Sequence, residues 1–145
     1  HRNFQGYTTR ANLDLLGVGL SAISLFPELY TQNSRSLKTY QEVTKQGQLA
    51  VDRGLEVKDP MVILRRHIIQ ELMCHFAVDF SPLAVDGPRV FPKEWALCGD
   101  LEAEGLLDRH SNSITVTERG RWLIRVIAAV FDPDIQEKAS GSRVI

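Results

Sequence analysis

The chain has 145 residues, of which 43% are hydrophobic and 24% charged, a composition typical of one globular domain or of one domain with part of another. Its 17 Lys and Arg residues nearly balance 18 Asp and Glu residues, and a net charge of −1 gives no general attraction to nucleic acid or to an anionic membrane. Its apolar runs are shorter than the roughly 20 residues that span a bilayer and no signal peptide is recognisable, so we expect a soluble, cytoplasmic protein.

The first elements suggest the end of an α/β sheet. The stretch "FQGYTT" (4–9) mixes aromatic and β-branched residues around a glycine, as strands and strand edges do. The run "LLGVGLSAIS" (15–24) is apolar without alternation, which predicts a strand buried on both faces, as in a parallel sheet. Such a strand needs parallel partners, and the rest of the chain offers almost none.

Helices are predicted next. Apolar residues spaced by three or four positions predict a helix over about 36–52, with Gly54 as its C-terminal stop. A second helix is predicted over about 60–77, because Asp59 is a good N-cap and Pro60 suits the first helical position. An apolar row at i+4 spacing supports this second helix.

The remaining sequence predicts a helix over about 93–105, a two-stranded hairpin in which "GLLD" and "ITVT" flank the turn "RHSNS", and a final helix from Thr117 to Phe131. The predicted fold class is mostly α. Residues 1–34 would end an α/β sheet domain, and residues 35–145 would form a helical domain with one small β-hairpin.

The order of the predicted helices and hairpin resembles a winged helix, an architecture often used to bind DNA. The helix at 93–105 would then be the recognition helix, but it contains four acidic residues and only one lysine. Because duplex binding rests mainly on cationic contacts to phosphates, an acidic helix argues against a nucleic-acid partner. A non-catalytic, winged-helix-like interaction module remains as an alternative function.

Small-molecule chemistry has weaker signals. The segment "GVGLS" (17–21) could bring backbone N–H groups close to an anion, or its glycines could simply allow close packing. Gln5 carries both a donor and an acceptor that could meet a polar ligand. The two cysteines, Cys74 and Cys98, lie in no metal-binding pattern and are predicted to be reduced thiols.

Several motifs resemble one family. The stretch "RNFQGYTT", then "DLLGVGLSAIS", and later "RRHIIQELMCHFAVDF", "LEAEGLLD", "ITVTERGRWLIRVIAAVFD" and "SRVI" are similar to oxygen-independent coproporphyrinogen III oxidases. These are radical S-adenosylmethionine enzymes of haem biosynthesis. The resemblance implies that residues 1–34 end an incomplete TIM-like barrel and that residues 35–145 form the family's helical C-terminal domain.

The resemblance also implies a reaction. The parent enzyme, a monomer acting on a small molecule, would oxidatively decarboxylate two propionates of coproporphyrinogen III to give protoporphyrinogen IX. A 5′-deoxyadenosyl radical from S-adenosylmethionine, formed at a 4Fe–4S cluster, would start it. No nucleic acid or membrane would take part.

Residue roles follow the same resemblance. The cluster needs a CxxxCxxC loop that Cys74 and Cys98 cannot supply, so the chain alone is expected to bind no cofactor and to be inactive. The resemblance assigns Ile23 and, in the same region, Gln5 to a site for a second S-adenosylmethionine. No residue is assigned as catalytic and none as a metal ligand. A haem-trafficking relative of the family remains an alternative.

Overall fold

A computed structural model describes residues 2–3, 6–10, 13–133 and 135. Contacts divide the chain into two compact units, essentially Asn3–Ile63 and Leu64–Ile145. The domain boundary predicted between residues 34 and 35 stays a prediction, because contacts within this chain do not define the domains of a longer protein.

The first unit is built on a small antiparallel sheet. Its elements are β1 (Arg2–Asn3), β2 (Gly6–Tyr7), β3 (Ile23–Leu25), β4 (Leu29–Asn33), α1 (Leu37–Lys45) and β5 (Val51–Glu56). Strands β1 and β2 pair with each other, and the larger sheet has the order β3-β4-β5. A β-bulge between Gln32 and Asn33 leaves Asp52 as an extra residue on β5. All six residues of β5 are exposed.

Two predictions in this unit are wrong. The run at 15–24 is not a parallel strand, because Gly19 and Ser21 have φ of 113° and 57° and turn the chain. Only its end enters a strand, β3, which pairs antiparallel with β4. The helix predicted over 36–52 ends at Lys45, since Gly47 has a φ of 74° and the residues beyond it pair with β4. Gly54 therefore lies inside β5.

The second unit alternates helices with a three-stranded sheet. Its elements are α2 (Pro60–His75, which begins in the first unit), β6 (Ala77–Asp79), a 3-10 turn (Ser81–Leu83), α3 (Gly87–Val90), α4 (Pro92–Ala103), β7 (Leu107–Arg109), β8 (Ser113–Val116), α5 (Glu118–Arg121) and α6 (Ile124–Ala129). The sheet is antiparallel, in the order β6-β8-β7. The second predicted helix and the hairpin are confirmed.

The final helix is shorter and broken. The predicted helix from Thr117 to Phe131 is two helices, α5 and α6, because Leu123 leaves helical geometry with φ −110° and ψ 19°. Gly120 in α5 lies against the carbonyl of Leu106 so closely that a Cβ would sit 1.8 Å from its oxygen. This contact fixes α5 against the sheet, and the chain turns before α6 begins.

Aromatic rings form the centre of the second unit. Phe80, Phe91 and Phe131 are fully buried. The ring centroids of Phe91 and Phe131 lie 5.8 Å apart in an edge-to-face arrangement, and Phe80 lies 6.0 Å from Trp95. Such geometry adds to the free energy gained from apolar burial. Phe91 and Trp95 lie at the start of α4, whereas Phe80 and Phe131 follow β6 and α6, so the cluster ties three parts of the unit together.

Arg65 secures this cluster from one side. Its guanidinium lies 5.0 Å from the centre of the Phe91 ring and donates a hydrogen bond of 3.1 Å to the carbonyl of Phe131. It also pairs with Glu94 at 2.6 Å, and the two side chains are only 19% and 14% exposed. Because a partly buried charge that loses its partner is poorly solvated, this ion pair is expected to matter for stability.

Replacing Glu94 by glutamine should lower the free energy of unfolding by about 2 kcal/mol, because it leaves the Arg65 charge without its partner. Glu118→Gln is the matched control, since Glu118 pairs with Arg121 with side chains 86% and 48% exposed. Its effect should stay below about 0.5 kcal/mol. Urea unfolding of both variants measures the difference, and equal losses would contradict the role given to Arg65.

Candidate functional site

Residues 15–22, called here the glycine loop, lie against the sheet of the first unit. Leu15 exchanges backbone hydrogen bonds of 2.9 and 2.8 Å with Leu25. At the other end, the N–H of Ser21 donates to the carbonyl of Ser34 at 2.9 Å. The loop is therefore anchored at both ends, on strand β3 and just beyond strand β4.

The side chain of Asn33 holds the middle of the glycine loop. Its amide nitrogen donates to the carbonyls of Gly17 and Gly19 at 3.1 and 2.9 Å, which uses both of its N–H groups. The N–H of Gly17 donates to the Ser24 hydroxyl at 3.0 Å, and that of Gly19 to the Tyr40 hydroxyl at 3.0 Å. Both glycine N–H groups are thus already bonded within the chain, which favours the packing role over anion binding.

Gly17 makes the closest backbone approach in this region. A Cβ at this position would lie 2.6 Å from the carbonyl oxygen of Ile23 and 2.7 Å from its carbon. Only glycine lets the loop come this near to β3. At position 19 glycine is required for a different reason: the backbone φ of 113° is one that residues with a side chain rarely adopt.

The sheet has two different faces. Partners in an antiparallel register point to the same side, so Ser24 and Thr31 share one face, and Asn33 lies on that face too. We call it the loop face. A cavity of about 300 Å³ lies on it, bounded also by the glycine loop and α1. The cavity lining is mainly apolar, with Leu16, Val18, Phe26, Leu29 and Ala50 among its residues.

The other face, called here the open face, carries Ile23, Leu25, Tyr30, Gln32, Arg53 and Leu55. None of these six residues lines the cavity on the loop face. Ile23 is partly buried and is the register partner of Gln32, which in turn is the register partner of Arg53. Ile23 thus lies in one row with a polar and a cationic residue on the two neighbouring strands.

The other predicted site residue, Gln5, lies outside the described residues, so its position relative to Ile23 stays a prediction. The sequence does not point to Arg53. The helix predicted over 36–52, with its stop at Gly54, leaves Arg53 at a helix end, whereas the structure places it inside strand β5. The alternation of "VDRGLE" was the available signal for a strand. Its short length and central glycine made this signal weak.

The cysteines are unsuited to metal binding. Cys98 is fully buried and Cys74 partly buried, and burial raises the pKa of the Cys98 thiol to about 12. Within the described part of the chain, no group of three or more His, Cys, Asp or Glu side chains is placed to hold a metal ion. The helices described in this chain are too short or too polar to cross a membrane.

In the second unit, the carboxylate of Glu102 is hydrogen-bonded to Arg109. Glu102 accepts hydrogen bonds of 2.6 and 2.9 Å from the backbone N–H and the Nε of Arg109, and these bonds lower the pKa of Glu102. Arg109 also donates to the carbonyl of Trp95 at 2.9 Å. These contacts join α4 to β7, so the pair is structural.

Comparison with known proteins identifies the relatives. An oxygen-independent coproporphyrinogen III oxidase of Synechocystis is 40% identical over 96% of this chain, and that of Escherichia coli is 41% identical over all of it. The chain is a homologue of these oxidases. It spans about a third of the length of the curated relatives it matches, 31% and 33% in these two cases. No protein-family model matches the chain.

A solved structure supports the same relationship. Coproporphyrinogen III oxidase from Escherichia coli, described as a radical SAM enzyme, matches 92% of this chain with a TM-score of 0.84 and 41% identity. The chain covers 32% of that structure. The helices and small antiparallel sheets described above correspond to the C-terminal region of this oxidase, which confirms the coarse fold class predicted from the sequence.

Replacing Gly17 by alanine should destabilise the first unit by about 2–4 kcal/mol, because the new methyl group would collide with the backbone of Ile23. Gly54→Ala is the matched control, since its Cβ would lie an ordinary 3.9 Å from the nearest atoms. It should change stability by less than about 1 kcal/mol. Urea unfolding and amide hydrogen exchange over residues 15–25 measure both. Unchanged protection in the Gly17 variant would show that the approach is not needed.

Proposed function

We propose that this chain is the C-terminal part of an enzyme that oxidatively decarboxylates two propionates of coproporphyrinogen III to give protoporphyrinogen IX in haem biosynthesis. The observation that carries the proposal is the continuous similarity, 41% identity over the entire chain with an Escherichia coli oxidase of that name. The structural match, with a TM-score of 0.84, supports it. The substrate is then a small molecule bound by the complete enzyme.

The radical chemistry of the parent would use S-adenosylmethionine and a 4Fe–4S cluster, which together supply a carbon radical. The residues of this chain do not fit the cluster. The chain has two cysteines, whereas the cluster needs three thiolates. The pKa of about 12 also keeps the buried Cys98 protonated. We therefore assign the cluster to another part of the parent enzyme, and we expect this chain alone to be inactive.

The contribution of this chain to cofactor binding would come from its first unit. Ile23, partly buried on the open face, offers an apolar wall to the adenine or ribose of a second S-adenosylmethionine. Gln5 would add a hydrogen bond from the same region. Residues 1–34 would form the end of the incomplete barrel, in line with the motifs "NFQGYTT" and "GVGLSAIS".

The second unit supports a winged-helix-like assignment. Its helices and strands follow the order α2-β6-α3-α4-β7-β8, and the sheet order β6-β8-β7 places the hairpin strand β8 in the centre. Helix α4 would be the recognition helix, yet it carries Glu94, Asp100 and Glu102. We infer that this unit packs within the parent enzyme and does not bind nucleic acid.

The proposal is tested with a chimaera in which this chain replaces the matched third of the Escherichia coli oxidase. The purified, cluster-loaded chimaera should convert coproporphyrinogen III to protoporphyrinogen IX, because the replaced segment has the same fold. The native oxidase is the positive control. The same oxidase truncated before the replaced segment is the negative control. A folded chimaera that carries its cluster but produces no product would favour a non-catalytic interaction module or a haem-trafficking relative.

Within the active chimaera, Ile23→Ala should raise the KM for S-adenosylmethionine roughly 5-fold, through loss of about 1 kcal/mol of apolar contact. Leu37→Ala is the control, because Leu37 is 58% exposed on α1 and belongs to no proposed contact. Initial rates at varied S-adenosylmethionine concentration measure both variants. If the two variants give the same KM, Ile23 does not contact the cofactor.

A further inference from the structure

The open face of the first sheet carries an ordered row of three side chains. Ile23 pairs in register with Gln32, and Gln32 with Arg53, so the three lie side by side on neighbouring strands. The outer two are separated by two strand spacings, roughly 10 Å. Gln32 is oriented by its own bonds, donating to the carbonyl of Ser21 at 3.2 Å and accepting from Arg35 at 3.3 Å.

A second, apolar row lies beside the first. Leu25 pairs in register with Tyr30, and Tyr30 with Leu55, which puts these three on the same face. Leu55 is 63% exposed. The open face therefore combines an apolar strip with a row that ends in a cation. This combination suits a ligand that is apolar in its body and anionic at its rim.

Arg53 supplies a cation on this face, where the guanidinium of Arg35 is already bonded to Gln32. Its side chain is exposed, and among the residues that the structure describes it has neither an ion pair nor a hydrogen-bond partner. Glu56, on the same strand but in register with Leu29 of the loop face, is paired with Lys58 at 2.8 Å. The guanidinium of Arg53 is thus free to form paired hydrogen bonds with a carboxylate from outside the chain.

We propose that the open face binds the tetrapyrrole substrate, with Arg53 holding one propionate carboxylate and with Leu25 and Leu55 against the macrocycle. This inference rests on the function proposed above, which supplies coproporphyrinogen III as the substrate. The fit is one of charge and polarity. The substrate carries carboxylates around an apolar ring, and the face carries a free guanidinium beside an apolar row.

The test uses the chimaera and coproporphyrin III, the stable oxidised analogue, whose fluorescence reports binding. Arg53→Gln should weaken the binding of coproporphyrin III roughly 10-fold, because it removes a charge-assisted hydrogen bond. Arg53→Lys should lose less. Binding of the tetramethyl ester, which lacks the carboxylates, should be the same with and without the substitution. In turnover, Arg53→Gln should raise the KM for coproporphyrinogen III more than it lowers kcat.

Arg89→Gln is the matched control, an exposed arginine of the second unit with the same change of charge. It should bind coproporphyrin III as the unsubstituted chimaera does. Normal binding by Arg53→Gln in an active chimaera would overturn this inference and leave the proposed function standing. Equal losses for the acid and the ester would also overturn it, since carboxylate pairing would not be the cause. An unsubstituted chimaera with neither binding nor turnover would overturn the proposed function and this inference with it.

Discussion

The first unit depends on the close approach of Gly17 to the backbone of Ile23. Because no side chain stands between them, the glycine loop reaches β3 and the carbonyls of the loop come within range of Asn33. The carbonyls of Gly17 and Gly19 are then bonded inside the chain, and the loop lies along the loop face of the sheet, where it bounds the cavity. The open face is left without this cover. A single missing methyl group therefore decides how closely the loop packs on one side of the sheet.

The second unit is organised around one cation among aromatic rings. Arg65 reaches from α2 to the ring of Phe91, the carbonyl of Phe131 and the carboxylate of Glu94. These three contacts link the first helix of the unit to its middle and to its end. Burial of the phenylalanine rings adds to the stabilising free energy of the apolar core. The guanidinium of Arg65 adds geometric specificity, because its planar, fixed donors constrain how these partners are arranged.

The sequence predicted local features better than pairings between distant residues. The start of α2 is predictable because Asp59 and Pro60 favour a helix start through their immediate neighbours, as when Asp59 accepts from the N–H of Met61. The hairpin is predictable because its turn is short. The sequence does not predict strand β5, because this strand is supported by pairing with β4, whose residues lie 18 to 27 positions earlier, and nothing in "VDRGLE" indicates that partner. The turns at Gly19 and Ser21 were hidden for a similar reason, since an apolar run looks the same in a strand and in a packed loop. The row that joins Ile23 to Arg53 depends on both of these features, so the sequence could not show it.

Strand β5 has one further consequence, which concerns contacts between molecules. It is one of the two outer strands of its sheet, and an outer strand with free backbone groups can recruit a strand from another chain and start aggregation. Here the edge carries Asp52, Arg53 and Glu56, a central glycine, and a bulge that disturbs the ladder. Each of these discourages the addition of a foreign strand. An apolar residue in place of Arg53 would therefore bring a tendency toward fibrils together with the loss of a cation.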